Sequence, residues 1–443
     1  MNSSDRSSII KLLKCEVIPA IGCTEPIAVA FAVARATELV GCEPQQLVVE
    51  LSANVLKNAM GVGIPSTGMT GLPIAIALGA TVGRADLGLE VLREVTPEAV
   101  EYAKGLIAAG SISISLCEDA PDKLYIKVCA SGGDHSAQVV IATGHTNIIF
   151  ESLDGETLLD RAVAACDQAS EATVELTMRR VYDFAMESPL EELDFILDSK
   201  HLNLAAAQTA LDGIFGHNVG RMMQCDKTGS LFGQTTFTKI LSYTSAACDA
   251  RMAGAMIPVM SNSGSGNQGI AATLPVVVYA EEHGATEEQL IRALTLSHLT
   301  VIYLKERLGR LSAMCGCVVA ATGSSCGVTY LMGGTYTQIT YAVKNMIANL
   351  TGIICDGAKP SCSLKISSGV STAIISAAMA LENRCVSSVE GIIDDDIEQC
   401  VDNLTTIGSD AMQITDQYVL NIMTSKSESK SPNAPLSALP CAF

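Results

Sequence analysis

Ser111-Ile112-Ser113-Ile114-Ser115-Leu116 is the stretch on which the fold turns. Hydroxyl and apolar side chains alternate at every step. A strand sends successive side chains to opposite faces, whereas a helix repeats every ~3.6 residues, so the pattern predicts a half-buried strand. The same texture extends outward. Upstream, Leu47–Leu51 is rich in β-formers. Downstream, Leu124–Cys129 and Gln138–Ile141 flank Ser131-Gly132-Gly133-Asp134, a hairpin loop by composition, and Thr146–Phe150 continues the sheet. Between the strands, Thr96 caps and Pro97 starts a helix running to Ala109. Residues 41–155 therefore read as an α+β domain with a small mixed sheet.

On either side the period changes. Residues 1–40 read as a helical segment bearing Cys23: Ile9, Ile10, Leu12 and Leu13 lead to Pro19, and a second apolar stretch runs Ile27–Val40. Beyond about residue 160 strand alternation disappears. Thr286-Glu287-Glu288-Gln289 and Thr335-Tyr336-Thr337-Gln338 are capping boxes, each opening a helix. Residues 156–425 thus read as a large all-helical domain. Residues 426–443, rich in Ser and Pro, read as a flexible tail that carries Cys441. The fold class is α+β: an N-terminal α/β unit with a small mixed sheet, then a large C-terminal helical domain.

Of the 443 residues, 48% are hydrophobic and only 17% charged, which places the chain among packed globular proteins and excludes disorder. The longest apolar runs, Leu72–Leu78 and Leu274–Ala280, fall short of the ~18 residues of a membrane span. The opening MNSSDRSSIIKLLKCEVIPAIG lacks the basic region and long apolar core of a signal peptide. No membrane partner is expected, and the chain reads as cytoplasmic. Its net charge of −19 repels phosphate backbones, so nucleic acid is not an expected partner. Trp is absent and Gly totals 36, a composition of closely packed helices whose small-residue faces also suit a homodimer. Sixteen Cys in a long, signal-free chain point to a reducing compartment, where thiols serve as metal ligands, as reactive groups or as small buried hydrophobes.

Several constellations bear chemistry. Cys355-Asp356-Gly357-Ala358-Lys359-Pro360-Ser361-Cys362 sets two thiols about a turn sequence, and Cys315-Gly316-Cys317 offers a third, with Cys326 further along. Zinc favours CxxC pairs and four ligands; three thiolates instead leave one iron of a four-iron cluster open as a Lewis acid. The alternative is a set of small core residues around a glycine loop. Ile21-Gly22-Cys23-Thr24-Glu25-Pro26 places a thiol at a helix start, where backbone N–H groups and the dipole lower its pKa from ~8.5, as suits a base or nucleophile. It also reads as a structural thiol.

Two loops, Gly63–Gly71 and Ser261–Gly269, pack hydroxyls, amides and glycines just before apolar helices, presenting N–H donors to an anion such as a carboxylate. Close helix contact through glycine is the other reading. The second loop contains Gly264, Gly266 and Gly269 as G-x-G-x-x-G, but no βαβ unit surrounds it, so NAD is not expected. The six histidines, His135, His145, His201, His217, His283 and His298, are scattered without a metal spacing. None of the candidate lysines, Lys57, Lys305 and Lys365, has a phosphate-loop partner, so pyridoxal phosphate is not expected.

Taken in order, Gly22–Pro26, the loop Gly61–Gly71, the loop Ser261–Gly269 and the run Cys355–Cys362 resemble the L-cysteine desulfidases. These are relatives of the iron–sulfur L-serine dehydratases, in a group long carried as an uncharacterised protein family. The resemblance covers most of residues 10–425 and implies a serine dehydratase-like fold. It implies Cys23 as acid/base and a 4Fe-4S cluster with three Cys ligands and one open iron. Those ligands are Cys355, Cys362 and one of the Cys315–Cys317 pair, Cys317 by its flanking sequence with Cys315 close behind. The implied substrate-binding residues are Thr24, Glu25, Asn58, Ser66, Thr67, Gly68, Asn262, Ser263, Gly264, Ser265 and Asn267. Thiol stands at Cys23 where the dehydratases have a His-Thr-x-x-Pro-like run.

The implied reaction is β-elimination of hydrogen sulfide from L-cysteine, giving pyruvate and ammonia. A base takes the α-proton and sulfur leaves as thiolate. The alternatives are a deaminating lyase on serine or another β-substituted amino acid, and a non-catalytic amino-acid-binding or thiol-sensing protein. In each the partner is a small amino acid.

Overall fold

The computed structural model describes residues 3–161, 174–225, 228–309 and 312–425. The tail reading and Cys441 lie outside them. The chain enters as α1 (Ser3–Glu16), β1 (Pro19–Ile21) and α2 (Thr24–Val40). Then follow β2 (Gln46–Leu51), α3 (Ala53–Ala59), α4 (Leu72–Val82), α5 (Pro97–Ala108) and β3 (Ile112–Leu116). A meander closes this part: β4 (Tyr125–Gly132), β5 (His135–Ala142), β6 (Ile148–Leu153) and β7 (Glu156–Asp160). The six-stranded sheet has the order β3-β2-β4-β5-β6-β7, parallel only between β2 and β3.

The expected strands form where the alternation lies. Leu47, Val49 and Leu51 of β2, and Ile126, Val128 and Ala130 of β4, face one core. The Gly133-Asp134 turn joins β4 to β5, with Gly133 in the left-handed region at φ 59°. Ser111–Leu116 yields the edge strand β3, half-buried rather than fully covered. Helices α2 and α4 cover the inner face. They cross closely: a Cβ on Gly79 would lie 2.6 Å from the Ala30 carbonyl oxygen. Strand β7 escaped the sequence reading because its side chains are mostly exposed and leave no apolar alternation.

The rest is helical: α6 (Met178–Glu187), α7 (Leu197–Asp212), α8 (Val219–Gln224), α9 (Gly229–Phe232) and α10 (Thr236–Met252), then the short β8 (Pro258–Met260). They are followed by α11 (Gly266–Glu282), α12 (Glu287–Leu308), α13 (Gly316–Leu331), α14 (Tyr336–Leu350), α15 (Cys362–Leu381), α16 (Ile397–Thr406) and α17 (Gln413–Ser425). Both expected capping boxes form, at Thr286–Gln289 and Thr335–Gln338. Helix α13 is the buried axle, packed by α11, α12, α14 and α15. Small residues let it approach: a Cβ on Gly323 would lie 2.5 Å from the Ser297 carbonyl oxygen, and one on Gly327 2.8 Å from that of Ala293. Helix α15 is long and apolar enough by composition to cross a bilayer. Here it packs against α10, α13 and α14.

Apolar side chains gather mainly into a sheet core and a helical core. Helix α1 (Ile9, Leu13) and Val17 join the helical core, while α2 joins the sheet core. The segment 1–40 is therefore divided between them, and β7 carries the sheet to Asp160, past 155. Between α1 and α2, β1 pairs antiparallel with β8, Pro19 opposite Met260 and Ile21 opposite Pro258. Ser261 Oγ donates to Ile18 O at 2.6 Å. Gly63 N donates to Met252 O at 3.0 Å, and no side chain fits at Gly63, where a Cβ would lie 2.3 Å from the Ala253 carbonyl carbon. Buried Lys57 on α3 pairs with Asp416 on α17, whose Leu420 enters the sheet core.

A buried polar network fixes the 261–269 loop. Asn262 Nδ2 donates to His298 Nδ1 at 3.0 Å and to His298 O at 3.1 Å. That places the ring proton on Nε2, which donates to Thr273 Oγ1 at 3.0 Å, and Thr273 Oγ1 donates to Gly269 O at 2.7 Å. Burial pushes the His298 pKa down to about 3, so the folded ring stays neutral. Below the ordinary value of 6.5 the unfolded chain takes a proton that the folded chain refuses. This contribution is full above pH 6.5 and is lost as pH falls toward about 3. His298→Gln should lower stability at pH 8 by about 1–3 kcal/mol, since its partners lose their geometry. It should also lack that component of acid sensitivity, as read from urea unfolding midpoints against pH.

Candidate active site

A cavity of about 550 Å³ opens where the two units meet, and Cys23, Cys315, Cys317, Cys355 and Cys362 all line it. Cys23 arrives through Gly22, whose left-handed φ of 68° turns the chain out of β1. Cys23 is the N-cap of α2, extended, with no cap bond from its side chain, so the thiol is left to face the cavity. The helix begins at Thr24, with Pro26 at its third position.

The expected lowering of the Cys23 pKa does not occur: burial pushes it up to about 12, outweighing the Arg251 guanidinium that bonds the sulfur. Taking a thiolate out of water costs more than a helix end returns. Behind it, buried Cys248 of α10 is also raised by burial and feels the charges of Cys362 and Cys23.

The four other thiols converge through backbone. Cys315 N donates to Ile353 O at 2.9 Å and Cys355 N to Ala313 O at 2.6 Å, a short antiparallel pairing about Met314 and Ile354. Cys315 caps α13, Cys317 lies in its first turn, and Cys362 opens α15. Gly357, at φ 86°, brings the loop onto α3, where a Cβ would lie 2.1 Å from Lys57 O. Lys359 Nζ donates to Asp356 O at 2.8 Å, and both Lys359 and Lys365 pair with the Asp356 carboxylate. Burial works to raise Asp356, but the two lysines outweigh it and hold it at about 2.

A hydrogen bond from the Cys317 thiol pulls Cys315 down, and the same bond raises Cys317, so Cys315 is the more readily ionised of that pair. Burial raises Cys355, and raises Cys362 to about 11, against the favourable charges of Lys57 and Lys365 on the first and of Lys359 on the second. Cys326 stands apart, buried mid-helix beside Thr300.

Among the described residues, no three His, Cys, Asp or Glu side chains close around a single metal ion. Cluster ligands sit on separate irons and stand further apart than ligands of one ion, so the thiol set fits a cluster better than zinc. Thiols at two helix N-termini, with lysines beside them, form the electropositive surroundings that thiolate ligands need.

The loop residues divide. Ser263, Gly264, Ser265 and Asn267 line the cavity, and Ser265 Oγ caps α11 by accepting from Gln268 N. Asn262 lies beneath, committed to His298 rather than to a ligand. Glu25 and Asn58 line the cavity, joined by a 3.1 Å bond from Asn58 Nδ2 to Glu25 Oε1. Thr24 does not line it; its hydroxyl donates to Glu25 Oε2 at 3.2 Å.

Ser66, Thr67 and Gly68 are also outside the lining. Ser66 and Gly68 are exposed, and Thr67 Oγ1 donates to Ile64 O at 2.7 Å, so this tip is tied to its own loop, whose base at Gly63 meets the helical unit. Sequence reasoning missed Arg251 and Gln268, and the sheet-unit residues Asp122, Lys123 and Thr143–His145. Arg251 carried one signal, a basic residue in a stretch of small and apolar ones.

Comparison with known proteins places this geometry. The pattern of the serine dehydratase alpha chain family matches residues 86–421. A UPF0597 protein of Bacteroides thetaiotaomicron is 63% identical over 426 residues, covering 96% of this chain and 99% of that protein. One from Bacteroides fragilis is 61% identical, covering 96% and 100%. One from Porphyromonas gingivalis is 54% identical over the same shares. The chain belongs to the serine dehydratase alpha chain family.

Proposed function

We propose that the protein is a PLP-independent iron–sulfur lyase that eliminates hydrogen sulfide from L-cysteine. One observation carries the reading: Cys23 shares a single cavity with Cys315, Cys355 and Cys362. The family is associated with iron–sulfur clusters in general, which supports the thiol set as a cluster seat. Cys355, Cys362 and one thiol of the Cys315–Cys317 pair would hold it, Cys315 being the more readily ionised of the two. A cluster bound there supplies a Lewis-acidic iron for the departing sulfur.

The chain's own residues do the rest. Cys23, protonated in its buried position, is a strong base once ionised, because its pKa is high. Arg251 favours that thiolate. As Cys23 takes the α-proton, the Cα–H electron pair becomes the Cα–Cβ double bond, and the Cβ–S pair leaves with sulfur. The aminoacrylate product then hydrolyses to pyruvate and ammonia. Ser263, Ser265 and the start of α11 line the cavity where the substrate would lie, and the helix N-terminus favours its carboxylate. Burial of the cavity strengthens each of these contacts.

Cys23→Ala should cut sulfide release from cysteine by about 10²–10⁴-fold. The visible spectrum and iron content of the anaerobically prepared protein should stay intact; unchanged turnover would remove Cys23 from the chemistry. Cys355→Ser or Cys362→Ser should instead lower bound iron and acid-labile sulfide together with activity. Iron chelation of the parent should do the same. Pyruvate from serine but not from cysteine would move the reaction to a dehydratase. Saturable cysteine binding without product would make the protein a sensor.

A further inference from the structure

Arg251 is a buried cation that no carboxylate of the described chain neutralises. It is 5% exposed. Its Nη2 donates to Gly22 O at 3.0 Å, while Nε, fully buried, has no partner. A buried guanidinium left so is costly unless an anion completes it. Beside it begins α11, whose free N–H groups add to the positive potential.

Arg251 lines the cavity and lies flat against the start of α11: a Cβ on Gly266 would lie 2.3 Å from Arg251 Nε and 2.8 Å from its Cζ, so only glycine lets the guanidinium take this place. The next two residues carry the complementary orphans. Asn267 Oδ1 and Gln268 Oε1 are buried acceptors without a donor. Both residues line the cavity, and Asn267 Nδ2 is turned away toward Met252 Sδ at 3.3 Å.

We infer that Arg251 anchors the carboxylate of a free α-amino acid, with Asn267 and Gln268 receiving its ammonium group. The inference rests on the reading of the cavity as an amino-acid site and deepens it: the ligand is selected as a zwitterion, before any chemistry at its β-carbon. A carboxylate without an amine leaves the two amide oxygens unfilled, and an amine without a carboxylate leaves the guanidinium unpaired. Peptides and N-acylated amino acids lack the paired groups on one carbon and are excluded.

The test is isothermal titration of the full-length protein with L-alanine, which carries both charged groups and no leaving group. Propionate and ethylamine are the controls, before and after anaerobic cluster reconstitution. L-alanine should bind saturably and each control at least ~10-fold more weakly. Arg251→Gln should weaken L-alanine by about 100-fold, the worth of a charged hydrogen bond pair, and Arg251→Lys by about 10-fold.

Circular dichroism checks the fold. Should Arg251→Gln not fold, Gly266→Ala, whose methyl displaces the guanidinium, is read in its place and should also lose L-alanine. Arg251→Gln binding L-alanine within about 3-fold of the parent overturns the inference, as does a parent that does not bind it. Propionate binding as tightly as alanine removes the role of Asn267 and Gln268. Arg251-dependent alanine binding in a protein inert toward cysteine leaves this inference standing and ends the lyase reading. Sulfide release that is indifferent to Arg251→Gln does the reverse.

Discussion

Three residue pairs of backbone ladder, β1 against β8, hold the site together. One strand runs directly into Gly22-Cys23, and the other into the loop that opens α11. The pairing sets the Cys23 thiol of the N-terminal segment beside the 261–269 loop of the helical core, across the 243 positions that separate Ile18 from Ser261. Ladder hydrogen bonds are short and directional, so they transmit position better than an apolar contact does. The neighbouring ties reinforce it: Ser261 Oγ to Ile18 O, Gly63 N to Met252 O, and Arg251 to Gly22 O. Each links the N-terminal unit to the helical unit by way of a backbone atom.

Electrostatics inside the cavity is a contest between burial and a few cations. Desolvation raises Cys23, Cys248, Cys355 and Cys362, and it is the largest influence on each. Lys57, Lys359 and Lys365 stand on the side of Cys355 and Cys362, and Arg251 on the Cys23 side. Cys315 alone of the cavity thiols falls, because a neighbouring thiol donates to it. A site where most thiols are held protonated beside cations attracts anions, whether sulfide, thiolate or carboxylate. Lys57 is itself fixed from the far end of the chain by Asp416, so the C-terminal helix contributes to the cavity without lining it.

What the sequence disclosed was local. Thr96-Pro97, Thr286–Gln289 and Thr335–Gln338 declared their helices because caps act within one turn. Strands β2, β4 and β5 showed because one face of each is buried. Exposed β7 carries no such record. Cys355 and Cys362 stood out because a turn sequence with flanking thiols is legible without a fold. Roles set by three-dimensional neighbours were hidden. Asn262 looked like a ligand contact, yet it serves His298, 36 residues on. Ser66–Gly68 had the composition of an anion loop, but form a tip outside the cavity, bonded to their own loop. The raised pKa of Cys23 follows from burial, which no spacing rule near a helix start can supply.

The glycines argue that the cavity is rigid. At Gly63, Gly266 and Gly357 a Cβ would fall 2.3, 2.3 and 2.1 Å from a neighbouring atom, and at Gly63 and Gly357 that atom is backbone. Backbone packed on backbone leaves nothing to rotate away, so the chain at Gly63, outside the lining, and at Gly357, within it, cannot adjust by changing rotamers. Discrimination in such a site comes from fixed polar positions rather than from closure around the ligand. The unpaired Arg251 Nε and the two amide oxygens beside it are therefore stable features of the fold, held in place by packing that would otherwise bury an unsatisfied charge at a loss. A polypeptide retains that arrangement where an incoming ligand supplies the missing partners, and the shape of the deficit (one donor site for an anion, two acceptors for an amine) describes the ligand it awaits.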